Sequence, residues 1–204
     1  SKLEEEGLVF KRKAHVIGGG SRRRHVYHLT DEGRQLLEGL AEEEQNEASN
    51  IGTLHGTAPQ LGHTHGRQQL AEEVAEQMRE QHCMILSGLP GIGKTTVGGL
   101  VSEHLLNSGL NVRWAQVDEF TDVHALCQQW GLKGPLPNDT HALAEYVVQK
   151  CKNEALIIDD AHLIHERHLD SIQSLCGLLN EAKATHTLMI GRVPLSFPGA
   201  PLRI

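Results

Sequence analysis

Gly88-Leu89-Pro90-Gly91-Ile92-Gly93-Lys94-Thr95 is the stretch that decides the fold. Its spacing, G-x-x-x-x-G-K-[ST], has a mechanical reason. Glycines let the backbone turn tightly enough for successive N–H groups to face phosphate oxygens. Lys94 brings a point charge to the β- and γ-phosphates, and the Thr95 hydroxyl suits Mg²⁺. A helix that starts at Gly93 adds the positive end of its dipole. Gly88, Pro90, Gly91, Ile92, Gly93, Lys94, Thr95 and the neighbouring Thr96 are therefore the expected nucleotide-binding set, with Lys94 also catalytic.

The surroundings agree with that mechanism. Cys83-Met84-Ile85-Leu86, a short apolar run, reads as a buried strand before the loop, and Val97, Leu100, Val101 and Leu105 mark a helix after it. Further strands are expected at 111–117, 155–158 and 187–190, with helices at about 67–81, 121–130, 140–152 and 166–182. This β-α-β alternation implies an α/β fold, a P-loop NTPase with a parallel sheet flanked by helices.

Two further elements complete an expected site. Asp159 and Asp160 follow four apolar residues, Ala155-Leu156-Ile157-Ile158. A carboxylate at the end of a buried parallel strand can hold Mg²⁺, the role expected of Asp159 alongside Thr95. Asp160 is then placed to orient or deprotonate the attacking water. The competing reading makes the pair turn residues or a cap for the next helix, and Glu119 is a rival water-activating group. Arg192 follows the last apolar run, where strand ends face a nucleotide, and is expected to sense the γ-phosphate. No guanine-reading N/T-K-x-D motif occurs, which favours ATP over GTP.

The chain has 204 residues, 39% of them hydrophobic and only 3% aromatic, so its core must rest mainly on Leu, Val, Ile and Ala. Its net charge of −7 excludes a uniformly basic nucleic-acid binder, but the charge is unevenly spread. Residues 1–40 hold eight Lys/Arg against six Asp/Glu, and the rest of the chain holds 11 against 20. Such a split suggests two modules with different partners. Cys83, Cys127, Cys151 and Cys176 form no C-x-x-C pair and read as buried thiols of a reducing compartment. With no long apolar run and no secretory h-region, a cytoplasmic protein without membrane contact is expected.

In the basic module, Leu8-Val9-Phe10 opens a strand, Gly18-Gly19-Gly20 breaks it, and His25-Val26-Tyr27-His28-Leu29 forms a second, together a hairpin. Thr30 suits a helix N-cap, with Asp31 and Glu32 in the first turn. Lys11, Arg12, Lys13, Arg22, Arg23 and Arg24 line the hairpin, with no acid from 11 to 24. Such a tip suits phosphate contacts beside a DNA groove, although a solvated basic hairpin or a protein-binding one has the same composition.

Taken together, these motifs resemble known families. Gly66-Arg67 with Leu70, the P-loop, Ile157-Ile158-Asp159-Asp160 and Met189-Ile190-Gly191-Arg192 resemble the STAND branch of AAA+-related signalling ATPases. Gln69 stands where that family's hhGRxxEL motif has Glu, and His65 where it has a hydrophobic residue. The resemblance implies that Gly66 and Arg67 line the adenine pocket and that Arg192 acts as a phosphate sensor. Leu3-Glu4-Glu5-Glu6-Gly7-Leu8-Val9 and Tyr27-His28-Leu29-Thr30-Asp31-Glu32-Gly33 resemble the back half of a MarR-like winged helix whose wing is the basic hairpin. The implied organisation is a partial winged-helix domain over 1–45, a linker over 46–62 and a P-loop ATPase core over 63–204. That core is expected to stop after its fourth strand, short of a fifth strand and a lid.

The leading expectation is a slowly hydrolysing regulatory ATPase that uses ATP and Mg²⁺, contacts double-stranded DNA through the wing and self-associates when ATP is bound. An AAA+-like motor or loader acting in DNA replication or transposition is the alternative. A degenerate nucleotide-binding interaction module is a second one. His162, His165 and His168, three apart, leave open a metal site or exposed helix positions, and His63-x-His65 is a weaker metal pattern.

Overall fold

The structure is a computed structural model that describes residues 2–15, 23–37, 51–59, 66–192 and 195–204. The chain divides into two compact units, 1–50 and 51–204.

The smaller unit begins with a single helical turn, α1 (Lys2–Glu5), and a two-stranded antiparallel sheet, β1 (Val9–His15) with β2 (Arg23–Leu29). Its register sets Lys11 opposite Tyr27 and Lys13 opposite His25. A helical stretch, α2, covers 31–37. Thr30 caps it as expected: its hydroxyl accepts from the Gly33 N–H at 3.1 Å and donates to the Gly7 carbonyl at 2.8 Å. A Cβ on Gly33 would stand 2.2 Å from the Leu8 carbonyl oxygen, so only glycine lets the helix approach the strand there.

The larger unit is a six-stranded parallel sheet between two layers of helices. Its elements are β3 (Leu54–Gly56), α3 (Gln68–Gln81), β4 (Cys83–Ser87), α4 (Lys94–Asn107), β5 (Val112–Gln116), α5 (Val123–Gln129), α6 (Thr140–Lys150), β6 (Ala155–Asp159), a 3₁₀ turn (Ala161–Leu163), α7 (Glu166–Ala182), β7 (His186–Gly191) and β8 (Ala200–Arg203). The strand order is β3-β5-β6-β7-β4-β8, all parallel. After β4 the chain crosses over β7 and β6 to reach β5, then steps back towards β4. The strand that carries the P-loop thus lies inside the sheet, one strand away from β6.

Alternation along the strands divides the core in two. Met84, Leu86, Trp114, Ile157, Leu188 and Ile190 face α3 and α4. Cys83, Ile85, Ala115, Leu156, Ile158 and Met189 face α5, α6 and α7. Both faces are buried, which explains why these strands read as continuous apolar runs. The core is less aliphatic than composition suggests, because Trp114 and Trp130 are both fully buried. All four cysteines are buried free thiols, and burial pushes those of Cys83, Cys127 and Cys151 up to about 12.

Two expectations need correction. The stretch 46–62, read as a linker, contains β3, which pairs with β5 through Leu54↔Val112 to Gly56↔Trp114. Three residues with one apolar side chain carry no periodic signal, and backbone pairing makes the strand. The expected absence of a strand after the fourth core strand is also wrong. β8 pairs with β4 through Met84↔Ala200 to Ser87↔Arg203. It contains Pro201, which an edge strand tolerates because one side needs no ladder donor.

Candidate functional site

The P-loop joins the carboxyl end of β4 to the start of α4. Gly91 and Gly93 have φ of 76° and 92°, left-handed values that a side chain would strain. Gly88 is glycine for another reason: a Cβ there would stand 2.4 Å from the carbonyl oxygen of Ile204, the residue after β8. The Ile204 N–H in turn donates to the Ser87 carbonyl at 2.9 Å. Gly93 caps α4, so Lys94, Thr95 and Thr96 form the first helical turn, whose N–H groups have no partner within the helix. The Lys94 ammonium donates to the carbonyls of Gly88 (3.1 Å) and Leu89 (2.8 Å), which uses two of its three protons.

Asp159, the last residue of β6, is 1% exposed. The Thr95 hydroxyl donates to its Oδ1 at 3.2 Å, and the Asp160 N–H donates to the same oxygen at 2.9 Å. Burial, followed by the neighbouring Asp160 charge, pushes the Asp159 carboxyl up to about 6, against the pull of these two donors and Lys94. A buried carboxylate beside a threonine hydroxyl and short of positive charge is the donor set a hard divalent cation requires, so Thr95 and Asp159 fit Mg²⁺.

Asp160 sits in the left-handed region, φ 58° and ψ 28°, a conformation Asp and Asn tolerate better than other side-chain-bearing residues. The turn swings its carboxylate away from Asp159 and towards β5, where the Gln116 amide donates to its Oδ2 at 3.2 Å. Gln116 escaped the sequence reading, because a glutamine at a strand end has no distinctive signature.

Pro90, Gly91, Gly93, Lys94, Thr95, Asp159, Asp160, His162 and Arg192 line one cleft of about 230 Å³. That is below the roughly 300–1,000 Å³ of a pocket enclosing a drug-sized ligand, so the cleft matches the phosphate end of a nucleotide. Arg67 approaches from the start of α3, its guanidinium carbon 3.6 Å from where a Cβ of Gly93 would be. Gly66 precedes it, and Arg192 leaves the end of β7 with its side chain exposed. The structure thus brings Lys94, Thr95, Asp159, Asp160 and Arg192 to one cleft and Arg67 to the loop beside it. Glu119 is exposed and does not line the cleft; the neighbouring Asp118 instead organises its own turn, accepting from the Thr121 hydroxyl at 2.7 Å and the Phe120 N–H at 3.0 Å.

The three spaced histidines do three different things. His162 enters the cleft from the 3₁₀ turn, His165 caps α7 by accepting from the Arg167 N–H, and His168 accepts from the Arg167 side chain. Among the described residues no group of three or more His, Cys, Asp or Glu is arranged to hold a metal, and His63 and His65 lie outside them. In the smaller unit Lys11 and Arg12 are exposed on β1, Lys11 lying 5.8 Å over the Tyr27 ring, and Lys13, Arg23 and Arg24 occupy strand positions. Arg22 lies outside the described residues. No described helix is long and apolar enough to cross a membrane.

A sequence model of the family described as "AAA domain" matches residues 76–196, which includes the P-loop, Asp159, Asp160 and Arg192. No curated protein matches the chain significantly. Similar solved structures include Cdc6p from Pyrobaculum aerophilum, 16% identical over 67% of this chain and 41% of that one, with a TM-score of 0.46. A chain of the HORMA:CdnC:Trip13 complex of E. coli MS115-1 is 8% identical over 79% of this chain and 66% of its own, at 0.44. A chain from Drosophila ORC bound to AT-rich DNA and Cdc6 is 13% identical over 74% and 50%, at 0.41. The chain spans less than two thirds of each of these structures.

Proposed function

The chain belongs to the AAA domain family, a nucleotide-binding P-loop family, and on that premise we propose that it binds ATP with Mg²⁺ and hydrolyses it to act on DNA. The observation that carries the reading is the convergence of Lys94, Thr95, Asp159 and Asp160 on one phosphate-sized cleft. When bound, Mg²⁺ neutralises charge on the phosphates, and Thr95 and Asp159 are the residues that would hold it. The α4 N–H groups and Lys94 bind and orient the phosphates, and Gly66 with Arg67 flanks the nucleotide. Asp160 takes a proton from water as its oxygen bonds to the γ-phosphorus. The bond from that phosphorus to the bridging oxygen breaks, and ADP leaves with the electron pair. Arg192 balances charge on the transferring group.

Thermal unfolding tests the binding. MgATP at about 100 times its Kd should stabilise the chain by about 2.7 kcal/mol, more than ATP with a chelator does. Asp159→Asn keeps the acceptor for Thr95 and Asp160 but removes a buried charge. Because the folded carboxyl ionises only near pH 6, stability of the nucleotide-free chain falls as pH rises from about 4 through 6. At pH 7 the variant should therefore be more stable than wild type without nucleotide, by roughly 3 kcal/mol, and should lose the magnesium increment. A wild-type chain with no magnesium increment would favour the degenerate interaction module instead.

The family match supports a motor or loader of the AAA+ kind ahead of a STAND-type switch, and steady turnover well above one per second separates the two. We assign DNA contact to the basic hairpin as a partial winged helix, on its run of Lys11, Arg12, Lys13, Arg22, Arg23 and Arg24 without an acid. Changing all six to Ala should weaken binding to any duplex and flatten its salt dependence by about 0.9 in the log–log slope per lost phosphate contact. Unchanged affinity would remove the hairpin from the DNA-binding role.

A further inference from the structure

Among the described residues His162 is the one titratable side chain lining the cleft to which the reaction above gives no task. It lies on the 3₁₀ turn directly after Asp160, between the carboxyl ends of β6 and β7. The turn can sit there because β7 ends in glycine. A Cβ on Gly191 would stand 3.2 Å from the His162 backbone nitrogen and 2.7 Å from a Leu195 methyl. The ring is thereby held in the cleft with Lys94, Asp160 and Arg192.

Both ring nitrogens are shielded from solvent and neither has a hydrogen-bond partner among the described residues. Leaving such groups unpaired costs about 1–3 kcal/mol each, and buried polar groups in folded proteins are nearly always paired. An imidazole with both nitrogens unpaired is therefore a site short of a ligand. Its surroundings say which kind. Desolvation, then the charges of Arg192 and Lys94, hold the ring below its usual pKa against the opposing pull of Asp160, so at neutral pH it is uncharged. A neutral ring has one N–H to donate and one nitrogen to accept. In a cleft lined by the P-loop, Lys94 and Arg192, the missing acceptor is a phosphate oxygen.

We propose that His162 recognises the terminal phosphoryl group, donating its ring N–H to a γ-phosphate oxygen while its other nitrogen accepts from the Arg192 guanidinium. His162 then discriminates ATP from ADP and aims Arg192 at the reacting phosphorus. It acts as a binding and positioning residue, with proton removal left to Asp160. The proposal rests on the nucleotide reading given above.

The test measures affinities of the full chain for ADP and for a non-hydrolysable ATP analogue, both with Mg²⁺, in wild type, His162→Ala, His162→Asn and Lys94→Ala. His162→Ala should weaken the analogue about tenfold and leave ADP within about twofold. His162→Asn, which keeps a donor and an acceptor, should restore the analogue to within about threefold of wild type. A second variant separates recognition from packing. His162→Leu removes both unpaired nitrogens, so its nucleotide-free Tm should rise by at least about 4 °C, whereas a histidine that merely supports the fold would lower it. Equal losses for ADP and analogue, no loss for either, or a lower Tm for His162→Leu would overturn the proposal. If Lys94→Ala weakens both nucleotides while His162→Ala changes nothing, only this inference falls. If Lys94→Ala also changes nothing, the nucleotide reading falls with it.

Discussion

Asp160→Asn should lower ATP turnover by about two to four orders of magnitude, the usual contribution of a positioned general base, while MgATP affinity stays within about threefold. Three features make the substitution clean. Asparagine tolerates the left-handed backbone that Asp160 adopts, φ 58°, so the 3₁₀ turn is kept. Its carbonyl still accepts from the Gln116 amide, so the side chain keeps its direction. Thr95 and Asp159, the expected magnesium ligands, are unchanged. What is lost is the capacity to take a proton. Asp160→Ala would confuse the result, because alanine strains at that φ. Single-turnover hydrolysis with parallel binding measurements checks the prediction. Turnover kept within threefold would assign water activation elsewhere. A matching loss of affinity would make Asp160 a binding residue instead.

The second large effect lies at the opposite end of the strands. Arg113, at the start of β5, donates through Nε to Glu154 Oε2 and through Nη1 to the Trp130 carbonyl at 2.8 Å. Asn111 donates to the other Glu154 oxygen at 2.9 Å. Arg113 and Glu154 are each 9% exposed. Removing one member of such a pair strands a charge away from water, and Arg113→Met should cost about 3–5 kcal/mol of stability. For a unit of this size that is roughly 6–20 °C in Tm. Adding Glu154→Leu should restore much of the loss, because the stranded carboxylate then disappears. Urea melts of the two variants and of Glu154→Leu alone supply the cycle. Equal stability of the single Arg113 variant and the double variant would show that packing, rather than the stranded charge, dominates.

What could be read from the sequence follows from how narrowly each feature constrains residues. A phosphate cradle needs glycines, a lysine and a hydroxyl at set places, so 88–95 announces itself. Strands buried on both faces need apolar residues at every position, which made β4, β6 and β7 visible as runs. β3 and β8 were missed because sheet edges are held by backbone pairing and impose little on side chains, even admitting Pro201. His162 illustrates a different limit. Its spacing from His165 and His168 suggested one helical face, yet the left-handed turn at Asp160 places it before the helix. The more useful signal was its position two residues after Asp160, which ties it to whatever that carboxylate serves. Gln116 carried no such cue, since its partner comes from another strand.

The meeting of Gly88 with Ile204, the residue after β8, has a mechanical consequence. Among the described residues β8 is an edge strand paired with β4 alone, and the backbone of Ile204, which follows it, abuts the first glycine of the phosphate cradle with no side chain between them. The seam between these strands therefore leaves no room for a side chain where the cradle begins. Peeling β8 from the sheet is therefore expected to loosen the first glycine of the cradle, and a nucleotide that orders the cradle is expected to steady the seam. Slower exchange of the β8 amides with solvent when nucleotide is added is the expected result.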